Sequence, residues 1–168
     1  MKKAAEMRRG NWRIDSEELE RHLRGEDDVG VVIRGHLGLE NALNTLLEVA
    51  LPKGLSNLEN LRFPARVDLA IATGLIDPAA RAAWLLVNEL RNRVAHDLDA
   101  TLDEAKADQL ENALALRPVR DTGLIYRPPA RPGTPRERIG WAIMALWTDA
   151  VWEITRRQPP EDAPGEWE

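Results

Sequence analysis

At 168 residues, 43% hydrophobic and 30% charged, the chain is long enough to bury one core and too apolar for a disordered protein. It has no Cys and only three His (His22, His36, His96), which excludes disulfides, thiolate nucleophiles and Cys-based metal centres and leaves little for a His-rich site. A net charge of −5 argues against a general nucleic-acid coat and leaves room only for a local basic site.

Residues 1–26 read as an N-terminal extension. Its start, MKKAAEMRRGNWR, is charged and lacks the apolar stretch of a secretory signal. No apolar run approaches the roughly 20 residues of a membrane span, so the chain reads as cytoplasmic, with no membrane partner. Asp15 with Glu18 is a capping-box pattern and predicts a short polar helix to about Arg24. Asp27 or Asp28 caps a long helix through Val31, Gly35, Leu39, Ala42, Leu46 and Val49, ending near Leu51-Pro52. Gly35 and Ala42 lie on its apolar face and permit a close helix approach. Residues 55–61 read as a loop or short turn. A helix follows from about Pro64 to Thr73, closed by Gly74.

Asp77-Pro78 places an N-cap before a Pro at the first helical position and predicts a helix to about His96. Thr101 with Glu104 opens the next, to about Leu116. Residues 117–133 form a Pro-, Gly- and Arg-rich linker that cannot be regular helix. Thr134-Pro135 with Glu137 opens the last helix, to about Arg157, and the acidic, Pro-rich tail 158–168 is predicted disordered. The expected architecture is all-α. A compact bundle over 27–116 is followed by the linker and a C-terminal helix, 134–157, that packs back, making about five to six helices. There is no internal repeat, no Gly-rich phosphate loop and no basic recognition helix of the helix-turn-helix type.

The segment from Asp77 to Leu98 carries the functional signal. Val87, Leu90, Val94 and Leu98 line one face with Trp84 beside them, and Arg91 falls within that face, about 40° from Val87. A guanidinium among core positions must be paired or lie at a cleft or interface; the plain alternative is an Arg whose stem packs while its head snorkels. Arg93 falls on the opposite side, four residues after Glu89, where a surface ion pair is expected. Asn88, Asn92 and His96 stand four apart and form a polar stripe along the flank. The stripe ends at a helix C-terminus, where the dipole and Asp97 or Asp99 favour an imidazolium. Together these residues make a better site candidate than any one alone.

The string LRNRVAH, Leu90 to His96, resembles the R-N-x-x-x-H signature of the HEPN superfamily. Upstream, RGHLGLENALNTLLEVALP and LRFPARVDLAIATGLI resemble the layout of its mannitol-operon-repressor-like branch: R-G-H-x-x-x-E, then F-x-x-x-x-x-L-A, then the motif helix. The resemblance covers roughly residues 28–115. It implies a small helical bundle that dimerises. In many members two motif helices face each other and form one composite, metal-independent ribonuclease site. Carried over, Arg91, Asn92 and His96 are the catalytic residues, RNA the substrate, a homodimer the active form, and no metal or other cofactor is required. Such proteins often pair with a nucleotidyltransferase-like antitoxin, so a toxin or phage-defence effector with an antitoxin or regulatory partner is the implied setting. Two His96 residues would supply acid and base, and two Arg91 residues would clamp the phosphate.

Three further features bear on the site. His36 and Glu40 stand four apart at the edge of the long helix. They read as a local pair flanking the core, or as supporting groups with Asn88, Glu40 holding Arg91 or orienting His96. The last helix has Ile139, Ile143, Leu146, Ala150 and Ile154 on one side and Trp141, Ala145 and Trp152 on another, as expected of a buried helix or one that packs a second subunit. Arg117, Arg120, Arg127 and Arg131, with Tyr126 among them, suit single-stranded RNA by charge and stacking; Arg136 and Arg138 extend the run. A solvated loop in an Arg-biased chain is the plain reading. Three functions therefore stand open: an endoribonuclease, a non-catalytic regulatory or interaction module on the same dimer, and a phosphate-binding module.

Overall fold

The structure, a computed structural model, describes residues 16–25, 27–51, 58–97, 99–116 and 133–157. Among the described residues it is all-α, as expected, with no strand. The helices are α1 (Ser16–Gly25), α2 (Asp28–Ala50), α3 (Phe63–Ala72), α4 (Arg81–His96), α5 (Glu104–Ala115) and α6 (Pro135–Thr155). Among the described residues, no helix is long and apolar enough to cross a membrane.

Local chemistry sets most boundaries. Asp27 is the cap of α2, its Oδ1 accepting from the Gly30 amide at 2.7 Å. Asp28 reaches further. Its Oδ2 accepts from the Leu102 amide at 3.0 Å, 74 residues along the chain. Helix α5 is capped by Asp103 rather than Thr101, two residues later than expected; Asp103 Oδ1 accepts from the Lys106 amide at 2.8 Å, while Leu102 is buried and its amide is held by Asp28. Gly74 closes α3 with φ +72°, while the Leu75 amide returns to the Ala70 carbonyl at 2.8 Å. A Cβ on Gly74 would meet nothing within 4 Å, so only backbone conformation demands glycine there. Asp77 caps a single 3₁₀ turn, Pro78–Ala80, that leads into α4. Thr134 and Glu137 make both halves of the expected capping box at the start of α6. The Asp15 cap, the linker 117–132 and the tail 158–168 lie outside the described residues.

The core is built on α2 and α6. Ile139, Ile143, Leu146, Ala150 and Ile154 are buried in one line, against Val31, Leu39, Leu43 and Leu46 of α2 and its neighbours. The close approach expected at Gly35 is present: a Cβ there would stand 2.7 Å from Ile143 Cδ1. Helix α1 lies across the pair with Leu19 and Leu23 buried, and Gly38 admits Leu19 in the same way, at 2.9 Å. On the second side of α6 Ala145 is buried and Trp141 and Trp152 are half-buried. Each fully buried Ile or Leu contributes about 1.5–3 kcal/mol, so α6 is structural. The bundle over 27–116 is not a complete core without it. Arg138 fastens α6 to α5, reaching Glu104 Oε2, Asp108 Oδ1 and Glu111 Oε2, each at 2.5 Å.

Candidate functional site

Helix α4 buries Ala83, Trp84, Val87, Leu90 and Val94, as the periodicity predicts. Helix α3 covers its first half: the Phe63 ring centroid lies 6.1 Å from that of Trp84, which is 2% exposed. Arg91 stands about 20° from Trp84 on the helical wheel, two turns further on, and is exposed. Leu90 and Val94 stay buried on either side of it. Arg91 is therefore not a buried cation within the apolar face but stands at its exposed margin.

Asn92, Arg93, Ala95 and His96 are exposed as well. Asn88, Arg91, Asn92, Ala95 and His96 span a sector of about 140°, so the three motif residues share one solvent-facing edge. Within it the Arg91 Nη1 donates to Asn92 Oδ1 at 3.1 Å. The small side chain of Ala95 lies between Arg91 and His96 and leaves the backbone approachable. The α4 C-terminus is closed by Asp97, whose amide donates to the Arg93 carbonyl at 3.0 Å. Glu89 does not take Arg93 as its ion-pair partner; Lys106 of α5 approaches Glu89 Oε1 at 3.8 Å instead.

The stripe of Asn88, Asn92 and His96 divides in two. Asn88 turns to α2, where its Oδ1 lies 3.1 Å from the Nε2 of His36. His36 is 6% exposed and its ring centroid is 4.5 Å from that of Phe63. Burial is the largest influence on this imidazole and pushes its pKa below the ordinary 6.5; Arg91 and Arg66 push the same way, against the Asn88 bond and the Glu40 charge. Glu40 neither holds Arg91 nor reaches His96. Its Oε1 accepts from Arg66 Nη2 at 2.5 Å, while Arg66 Nη1 donates to Asn44 Oδ1.

Arg66 is therefore the partner that sequence reasoning missed. Its side chain is 8% exposed, and its Nε makes no hydrogen bond. The available signal was its position: Phe63, Arg66, Val67 and Ala70 are the buried side of α3, so Arg66 stands where an apolar residue belongs. Helices α2 and α4 run antiparallel, tied at His36–Asn88 and at Asp28–Leu102. This register sets Ile33, 36% exposed, about level with Arg91 along the helix axes, and Leu37, 53% exposed, one turn away.

Arg117, Arg120, Tyr126, Arg127 and Arg131 lie outside the described residues. Of their flank, Arg138 is occupied by Glu104, Asp108 and Glu111, and Glu111 and Asp108 hold its guanidinium pKa above the usual value. It is a structural cation, not a ligand for RNA. Among the described residues, no three His, Asp or Glu side chains are grouped to hold a metal ion. The chain matches no protein-family model, no curated protein and no solved structure.

Proposed function

We propose that this chain is a dimeric, metal-independent endoribonuclease of the HEPN kind, cytoplasmic, and acting as a toxin or defence effector held in check by a protein partner. The observation that carries the reading is the exposed edge of α4: Arg91, Asn92 and His96 face solvent together, past the buried Trp84. Groups that act on a large substrate must be reachable, and these are. Two such edges, one from each protomer, bring two imidazoles and two guanidiniums to one place.

The chemistry needs no other group. One His96, neutral, accepts the proton of the ribose 2′-hydroxyl, whose oxygen attacks the adjacent phosphorus. The bond from phosphorus to the 5′-oxygen breaks as the second His96, protonated, gives that oxygen its proton. The products are a 2′,3′-cyclic phosphate and a 5′-hydroxyl. Arg91 stabilises the charge on the phosphorane oxygens, and Asn92, already in contact with Arg91, orients it. Purified wild type in EDTA is expected to cleave RNA, and His96→Ala and Arg91→Ala to lose at least about 100-fold of that rate. Equal cleavage by the variants removes the reading.

The exposed Leu37 and Ile33 of α2 favour a second reading, a regulatory module that binds protein without chemistry. It predicts a dimer that persists in His96→Ala and no cleavage by either protein.

A further inference from the structure

Behind the open edge lies a polar junction that neither reading uses. Its members are His36, Glu40 and Asn44 from α2, Arg66 from α3 and Asn88 from α4, with Phe63 of α3 against the imidazole. The His36–Asn88 bond joins α2 to α4 side chain to side chain, whereas Arg66 joins α3 to α2. Asn88 is one turn from Arg91 and Asn92. We propose that His36 is a proton-operated latch: as a neutral ring it ties α2 and α3 to α4 and holds the Arg91–Asn92 edge in place, and a proton on the ring frees that edge.

The surroundings of the ring explain why. With Asn88 Oδ1 facing it, Nε2 carries the proton of the neutral form and donates it, so a second proton must go to Nδ1. That proton puts a full charge on a side chain only 6% exposed, with a phenyl ring at 4.5 Å. The charged groups acting on it are Glu40 from its own helix, Arg66 from α3 and Arg91 from α4. Two of the three repel an imidazolium. The attractive one, Glu40, is already committed to Arg66 at 2.5 Å. The ring gains hydration only by swinging out, and in doing so it leaves Asn88 and uncovers Phe63. The last two turns of α4, past Asn88, then lose the side-chain tie to α2 that this bond provides.

This latch is a property of the fold and holds whichever of the two functions is correct. The test is hydrogen exchange of the full-length protein, read amide by amide by NMR at pH 7.5 and 5.5 and corrected for intrinsic exchange. Protection of the Leu90–Val94 amides is expected to fall about tenfold more than that of the Ile143–Ala150 amides of α6 at the lower pH. In His36→Gln, which keeps a neutral donor, the extra loss is expected to vanish. In Asn88→Asp, which gives the imidazolium a counter-ion, protection at pH 5.5 is expected to be retained. The proposal is overturned if wild type shows no selective loss in α4, or if either variant loses protection as wild type does. Should His36→Gln fail to fold, Asn88→Asp alone decides.

Discussion

Trp84 and Arg91 point in nearly the same direction from α4, yet Trp84 is buried and Arg91 is exposed. The helical wheel places both correctly and knows nothing of what covers each turn. Trp84→Ala should cost about 3–5 kcal/mol in denaturant unfolding, the usual range for deleting a buried aromatic, whereas Arg91→Ala should stay within about 0.5 kcal/mol. An Arg91→Ala loss above about 2 kcal/mol would mean that the guanidinium is structural after all. The motif residues Arg91, Asn92 and His96 were legible as a group because they are local in sequence. Arg66 was not, because its partners Glu40 and Asn44 lie 26 and 22 residues earlier. For the same reason the Glu40–Arg66 pair is absent from both sequence readings of Glu40, as a neighbour of His36 or as a support for Arg91 or His96. The pH response belongs to this scale too. His36 takes up a proton near pH 6.5 when unfolded and resists it when folded. Its contribution to stability is therefore complete above that pH and declines as pH falls below it. Unfolding free energies at pH 7.5 and 5.5 should differ less in His36→Gln than in wild type.

The contact between α2 and α6 rests on Gly35. A methyl group there would stand 2.7 Å from Ile143 Cδ1, a chain end that can swing aside, but also 3.1 Å from Ile143 Cγ2 and 3.3 Å from Leu23 Cδ2, a crowding that costs about 1–3 kcal/mol against about 1 kcal/mol gained in helix propensity. Gly35→Ala should therefore destabilise wild type, and do so less in an Ile143→Val background that lacks the Cδ1. A double-mutant cycle with no coupling would place the two helices further apart than described. Apolar periodicity and small residues mark the close approach at Gly35 and the return of the last helix, but not that the two meet. Helix α5 shows where such reading stops: Thr101-x-x-Glu104 is a sound capping pattern, but Asp103 takes the cap, and the distant Asp28 takes the Leu102 amide. The Arg138 network is invisible to local patterns for the same reason, since its carboxylates come from 27 to 34 residues away. Arg138→Gln leaves those carboxylates facing one another and should lower the melting temperature, less so at high salt.

At the scale of the molecule, the last helix packs back as expected, and α6 completes the core that α2 begins. The open α4 edge and the exposed Leu37 remain on the outside, and in the proposed dimer that face meets a second protomer. Leu37→Asp should then shift sedimentation toward the monomer and reduce RNA cleavage with it, while leaving the melting temperature of the fold nearly unchanged. The net charge of −5 limits RNA to local contacts, so cleavage should fall with salt less steeply than for a protein that neutralises many phosphates. The central claim is that one site draws on both protomers, and subunit mixing tests it directly. Wild type is mixed with increasing proportions of His96→Ala, allowed to exchange subunits, and assayed for RNA cleavage in EDTA at constant total protein. A site that needs both His96 residues predicts activity falling as the square of the wild-type fraction. A linear fall, or cleavage by His96→Ala alone at the wild-type rate, would contradict it.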